Sequence, residues 1–269
     1  MAGCVEVSAL KLADIQGMQS DIASGKTAKS RVGRGGKTTG GPGAAARTVS
    51  TLQGLLGHAK RFDLITVNPA DGVRKLAGKR RDRRLSVAEI RTLGKTMRIA
   101  EQDGEHPTGL AVVRLLLLTG FRISEGQGLE RAWIHPIKGY VQFPDTKSGG
   151  QIRAIGPSAS QLLANRPIRK NCPYVFPADV GDGHFTATEV CLARLCAMAE
   201  LEDVTPHTLR HTFGSVAGDL GFSELTIAAL LGHSAKSVTQ GYVHIDEALK
   251  LAVTRTSEEI AGLLMAGRS

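Results

Sequence analysis

Six polar residues in the C-terminal part of the chain have the types needed for one particular reaction: Arg122, Lys147, His207, Arg210, His233 and Tyr242. Together they supply a phenol, three cations and two imidazoles. A phenol attacks phosphorus, cations hold phosphate oxygens while charge grows on them, and imidazoles move protons, so the set is equipped to open a phosphodiester without a metal. The tyrosine stands nine residues beyond the histidine of the Leu231-Gly232-His233 turn. The implied substrate is DNA.

Each residue taken alone has an ordinary reading. Arg122 lies in Leu117-Leu118-Thr119-Gly120-Phe121-Arg122-Ile123-Ser124-Glu125, where an arginine past a helix end pairs with a nearby carboxylate. The same guanidinium is suited to bidentate phosphate binding, with Glu125 to orient it. His207-Thr208-Leu209-Arg210-His211 puts His207 and Arg210 at i and i+3 on one helical face, close to a helix N-terminus that favours an anion. His207 and His211 at i and i+4 also have zinc-ligand spacing. Thr208 stands where a metalloprotease glutamate belongs, and Arg210 between them repels a cation, so zinc is set aside and His211 reads as a packing or hydrogen-bonding residue.

These residues need a scaffold, and the hydrophobic periodicity describes one that is mainly α with a small antiparallel β-sheet. Leu12, Ile15, Met18 and Ile22 recur at helical spacing, as do Val49, Leu52, Leu55, Leu56 and Ala59. Between them residues 26–47 form a basic, glycine-rich loop that is either solvated or set against backbone phosphate. Gly36-Lys37-Thr38 and Gly41-Pro42-Gly43-Ala44-Ala45-Ala46 imitate phosphate-binding motifs but lack the strand that would aim them. Asn68-Pro69 closes the second helix. A linker over 74–84 then carries Arg74, Lys75, Lys79, Arg80, Arg81, Arg83 and Arg84 against one acid, Asp82, and these cations are the expected DNA contacts. The expected division is therefore 1–73, a linker over 74–84, and 85–269.

Past the linker, Ser86 and Glu89 form a capping box and Leu85 and Ile90 an apolar staple. Residues 106–119 read as a buried helix. Gly139-Tyr140-Val141-Gln142-Phe143-Pro144 and Gln151-Ile152-Arg153-Ala154-Ile155 flank a Lys-Ser-Gly-Gly turn and read as paired strands. Helices resume with a capping box from Thr186 to Glu189 and with Pro206 as first helical residue after Thr205. Residues 246–265 form an amphipathic tail helix that folds back on its own domain or docks on a neighbour.

Composition agrees with a polyanionic partner. The 269 residues hold 34 Lys+Arg against 25 Asp+Glu, a net charge of +9. The cysteines Cys4, Cys172, Cys191 and Cys196 show no C-x-x-C pairing, which reads as reduced thiols in a cytoplasmic protein. The longest apolar run, Leu110 to Leu118, contains Arg114 and is far shorter than the ~18 residues of a membrane span, and no signal peptide is visible.

The separated segments, in this order, resemble the tyrosine recombinase family of phage-type integrases, over roughly Arg84 to Tyr242. The resemblance implies a DNA breaking-rejoining catalytic domain preceded by a partial helical core-binding (SAM-like) domain, since only two helices precede the linker. It matches Arg122 to the first catalytic arginine, Lys147 to the hairpin lysine, His207 and Arg210 to the H-x-L-R-H segment, His233 to the L-G-H histidine and Tyr242 to the nucleophile. It implies site-specific recombination through a 3′-phosphotyrosyl intermediate, with no cofactor or metal, on double-stranded DNA. It also implies a homo-tetramer on paired sites, with accessory DNA-bending proteins as further partners and no membrane. Two other readings remain beside it: a type IB topoisomerase, and a non-catalytic DNA-binding remnant of an integrase.

Overall fold

The computed structural model describes residues 6–29, 38–77, 83–144, 150–232 and 247–266. The chain divides into two compact units, Met1–Arg81 and Asp82–Ser269.

The first unit is built on α1 (Leu12–Ala23) and α2 (Pro42–Arg61), which pack against each other. Ile15, Val49, Leu56, Ala70 and Val73 form its small core. Two expectations need correction here. The glycine-alanine stretch assigned to the basic loop is the first turn of α2: Pro42 occupies the first helical positions and Ala45 is fully buried, because proline pre-sets the helical φ and alanine fits against α1. Asn68-Pro69 does not close α2, which ends at Arg61. Buried Asn68 instead ties the following turn back to the helix, its Nδ2 donating to the Gln53 carbonyl at 3.1 Å and its Oδ1 accepting from the Ala70 amide at 3.0 Å.

In the second unit, α3 (Val87–Gln102) begins with the Ser86–Glu89 capping box: the Glu89 amide donates to Ser86 Oγ at 3.2 Å and the Ser86 amide to Glu89 Oε2 at 2.8 Å. Leu85 and Ile90 are both buried in the same core. The central helix is α4 (Pro107–Thr119), in which Leu110 to Val113 and Leu115 to Leu118 are all buried. A helix apolar all round must be surrounded, and α3, α7, α8 and α10 pack about it. The short α5 (Ile123–Gln127) follows, then a three-stranded sheet of β1 (Ile134–His135), β2 (Tyr140–Phe143) and β3 (Gln151–Ala154), antiparallel in the order β1-β2-β3. Tyr140 pairs with Ala154 and Phe143 with Gln151. β1 was too short to be legible as a strand.

α6 (Pro157–Ala164) and α7 (Thr188–Met198) continue the domain. The expected Thr186–Glu189 capping box does not form: α7 starts at Thr188, after Ala187, with no side-chain cap. The Phe185 amide donates to the Phe176 carbonyl at 2.8 Å. That bond keeps the chain out of the helix until one residue beyond the place where Thr186 could cap it. α8 (Pro206–Asp219) has Pro206 in its first turn and Thr205 as its cap, and α9 (Glu224–Leu231) leads to Gly232.

The tail is α10 (Glu247–Met265), packed on its own domain against α3, α4, α6, α8 and α9. Arg98 of α3 donates to the Leu264 carbonyl at 2.6 Å and so caps its last turn. Ile260 is completely buried, whereas Leu251 is 53 % exposed. Ile260→Ala is therefore expected to lower the urea-unfolding free energy by about 2–5 kcal/mol, and Leu251→Ala to leave it within about 0.5 kcal/mol.

Candidate active site

Two helix ends meet at the site. α4 stops at Gly120 and α9 at Gly232, both in the left-handed conformation with φ of 62°. Glycine is required at each by space as well as by dihedral: a Cβ on Gly120 would lie 2.7 Å from the Phe213 ring, and one on Gly232 would lie 2.5 Å from Arg153 Nη1. Each helix end leaves carbonyls without an intrahelical partner. Arg210, 3 % exposed on α8, takes up two carbonyls there, Nη1 donating to Gly120 O and Nη2 to Leu231 O, both at 2.6 Å. One buried guanidinium thereby fixes the turn before Arg122 and the turn after α9. A terminal guanidinium nitrogen carries two hydrogens, so each keeps one N–H for another acceptor.

Arg122 is placed by the same turn and stands at the N-terminus of α5. Its amide donates to Glu125 Oε2 at 2.8 Å and its Nη1 to Glu125 Oε1 at 2.6 Å, while its side chain stays 46 % exposed. Glu125 is almost wholly enclosed. Burial raises its carboxyl's pKa, but the charge of Arg153, the Arg122 amide and the Arg122 guanidinium together outweigh this and hold it below the usual value.

His207 sits on the first turn of α8, its ring 4.4 Å from that of His211 in an edge-on contact. Partial withdrawal from solvent, then the charges of His211, Arg210 and Arg122, hold its imidazole below the ordinary value. Arg210 is lowered to about 10, chiefly by burial and then by Arg122, and stays protonated near neutrality. The structure thus brings Arg122, His207 and Arg210 into one electrostatic cluster. No group of three or more histidine, cysteine or acidic side chains suited to a metal exists among the described residues.

Lys147, His233 and Tyr242 lie outside the described residues, as do Lys79, Arg80 and Arg81 of the linker. Arg74 and Lys75 are exposed. Arg83 and Arg84 are engaged by carboxylates: Arg83 makes a bidentate pair with Glu89, and Arg84 meets Asp219 at 2.7 Å. Arg153, which pattern reading passes over as a strand residue, proves to lie under Glu125. Its Nη1 is 3.6 Å from Glu125 Oε2, and its Nε donates to Leu230 O at 2.9 Å. A cleft of about 640 Å³ lies elsewhere, between the turn joining β1 and β2, α6 and α10, and none of these residues lines it.

Residues 83–248 match the model of the phage integrase family. Over 169 residues the chain is 30 % identical to tyrosine recombinase XerD of Lacticaseibacillus casei, covering 58 % of this chain and 57 % of that protein, so the match spans little more than half of the relative. Tyrosine recombinase XerC of Pseudomonas fluorescens is 28 % identical over 239 residues, 87 % of this chain and 76 % of the relative. Among solved structures, a lambda integrase (75–356) dimer bound to a COC′ core site aligns with a TM-score of 0.65 at 17 % identity, covering 91 % of this chain and 87 % of that one. At that identity the likeness is one of fold.

The unfolded chain takes up the proton first as pH falls through about 6.5, so His207 contributes no penalty above that pH and opposes folding below it. NMR titration of the ring is expected to give a midpoint below that of a free histidine, and Arg122→Ala to move it partway back up.

Proposed function

We propose that the chain, which belongs to the phage integrase family and is a tyrosine-type site-specific recombinase, cleaves and rejoins duplex DNA through a 3′-phosphotyrosyl link to Tyr242. The observation that carries this reading is the convergence of Arg122, Arg210 and a His207 imidazole biased towards its neutral form.

A free phenol has a pKa near ~10, so forming phenolate near neutrality costs roughly 4 kcal/mol. His207 receives the phenolic proton. Arg122 and Arg210 bind the non-bridging oxygens as charge accumulates, and His233 donates to the phosphate. The tyrosyl oxygen bonds to phosphorus and the bond to the 5′ oxygen breaks. Lys147 supplies the proton that leaves a free 5′ hydroxyl. Since the new ester conserves the energy of the old one, a hydroxyl from another strand reverses the step with no external energy source.

In this reading residues 1–73 act as a helical DNA-gripping domain, the cations of 74–84 lie along backbone phosphates, and residues 85–269 carry the chemistry. Arg83 and Arg84 would exchange Glu89 and Asp219 for phosphate oxygens. The lambda integrase neighbour is described as a dimer bound to a core site; for this chain the corresponding partner is duplex DNA, with four protomers pairing two sites.

The test is a denaturation-resistant adduct on a library of nicked duplexes whose leaving fragment diffuses away. The wild-type chain is expected to form the adduct, and Tyr242→Phe to form none at unchanged DNA affinity. Arg122→Ala is expected to slow adduct formation by about 10²-fold, near 3 kcal/mol of transition-state stabilisation. Binding with no adduct would make the chain a DNA-binding protein instead, and relaxation of supercoiled plasmid irrespective of sequence would make it a topoisomerase.

A further inference from the structure

Arg153 heads the largest side chains that are fully buried, at 1 % exposure. Its Nε bond to Leu230 O and its approach to Glu125 are its polar contacts with described residues, and neither Nη1 nor Nη2 has a hydrogen-bond partner among them. The guanidinium also lies 5.2 Å from the centre of the Phe121 ring, next in sequence to Arg122. Burial, then Arg210 and Arg122, push it down to about 9, with Glu125 alone acting the other way. An arginine kept only to fill space would be replaced at a gain by an apolar side chain of similar volume. What it does hold is specific: the carboxylate that orients Arg122 and the Leu230 carbonyl in the last turn of α9, the helix that leads to His233.

We propose that Arg153 is a positioning residue for the phosphate site, fixing Glu125 from below so that Glu125 can aim Arg122, and anchoring the end of α9. Glu125 is thereby a carboxylate shared by two arginines, with Oε1 turned to the Arg122 guanidinium and Oε2 to the Arg122 amide and Arg153. The charged groups acting on it are Arg122 at the start of α5, Arg153 from β3 and Arg210 from α8, with His207 and His211 beside them on α8. Burial already acts most strongly on Glu125, and Arg153 is the largest influence opposing it; without Arg153 the carboxyl rises, so the proton that displaces Arg122 arrives at a higher pH. This role rests on the recombinase chemistry proposed above.

The experiment measures adduct formation against pH for the full chain on nicked duplexes recovered from the library, together with DNA affinity and thermal unfolding. Arg153→Met is expected to keep DNA affinity, to slow adduct formation by about ten-fold or more, and to shift the acid limb of the profile upwards by about one pH unit. Adding Glu125→Gln is expected to remove that shifted limb, a change that a purely structural defect would not produce. Arg153→Lys, which keeps a cation but not the Leu230 bond, is expected to fall between wild type and Arg153→Met in both rate and limb. A folded Arg153→Met with the wild-type rate and profile overturns the proposal. If Arg153→Met does not fold, an Arg153→Lys variant as fast as wild type overturns it, and one slowed at unchanged affinity supports it. Failure of the wild-type chain itself to form an adduct contradicts the recombinase reading, and this inference with it.

Discussion

The site depends on arginine bonded to helix C-termini inside the protein. Carbonyls at the end of a helix carry partial negative charge and lack partners, and burying them uncompensated costs about 1–3 kcal/mol each. Arg210 satisfies Gly120 and Leu231, and Arg153 satisfies Leu230. The opposite charge that both cations feel is that of Glu125. The ends of α4 and α9 are thus held to α8 and β3 by charge-assisted bonds that tolerate little displacement.

That constraint has chemical consequences. Arg210, bonded to both helix ends, is held in place before any anion arrives, which is the preorganisation that the proposed electrostatic catalysis requires. Partial burial first, then His211 and the charges of Arg210 and Arg122, hold His207 towards its neutral, proton-accepting form. Glu125 prevents the cluster from being uniformly repulsive, and it does so while leaving the Arg122 side chain half open to solvent. The packing of α10 across α3, α4, α6, α8 and α9 supports the assembly from behind.

Much of this architecture follows from short-range rules. The Ser86–Glu89 box, the proline start of α8 and the apolar run of α4 are set within a few residues, so the sequence alone locates them. Arg122, His207 and Arg210 stand out by type and spacing, and the structure places them together. The misreadings have physical causes. The start of α2 directly follows Gly40 and Gly41 and reads as their continuation, whereas its alanines are helical and Ala45 is buried. Thr186 is held out of its helix by the pairing of Phe185 with Phe176, a partner distant in sequence. Arg153 escapes notice because both faces of β3 are largely covered, so alternation does not announce a charge directed inward, and its carboxylate partner lies 28 positions away in a different element.

The proposed phosphate clamp sets half-exposed Arg122 and buried Arg210 against the phenol of Tyr242. A crystal structure of the chain bound to duplex DNA, with orthovanadate in place of the scissile phosphate, tests it directly. Vanadium is expected to be bonded to the Tyr242 oxygen in line with the departing 5′ oxygen, with equatorial oxygens within hydrogen-bond distance of Arg122 and Arg210. Vanadate bound away from both guanidinium groups, or Tyr242 directed elsewhere in every protomer, would contradict it.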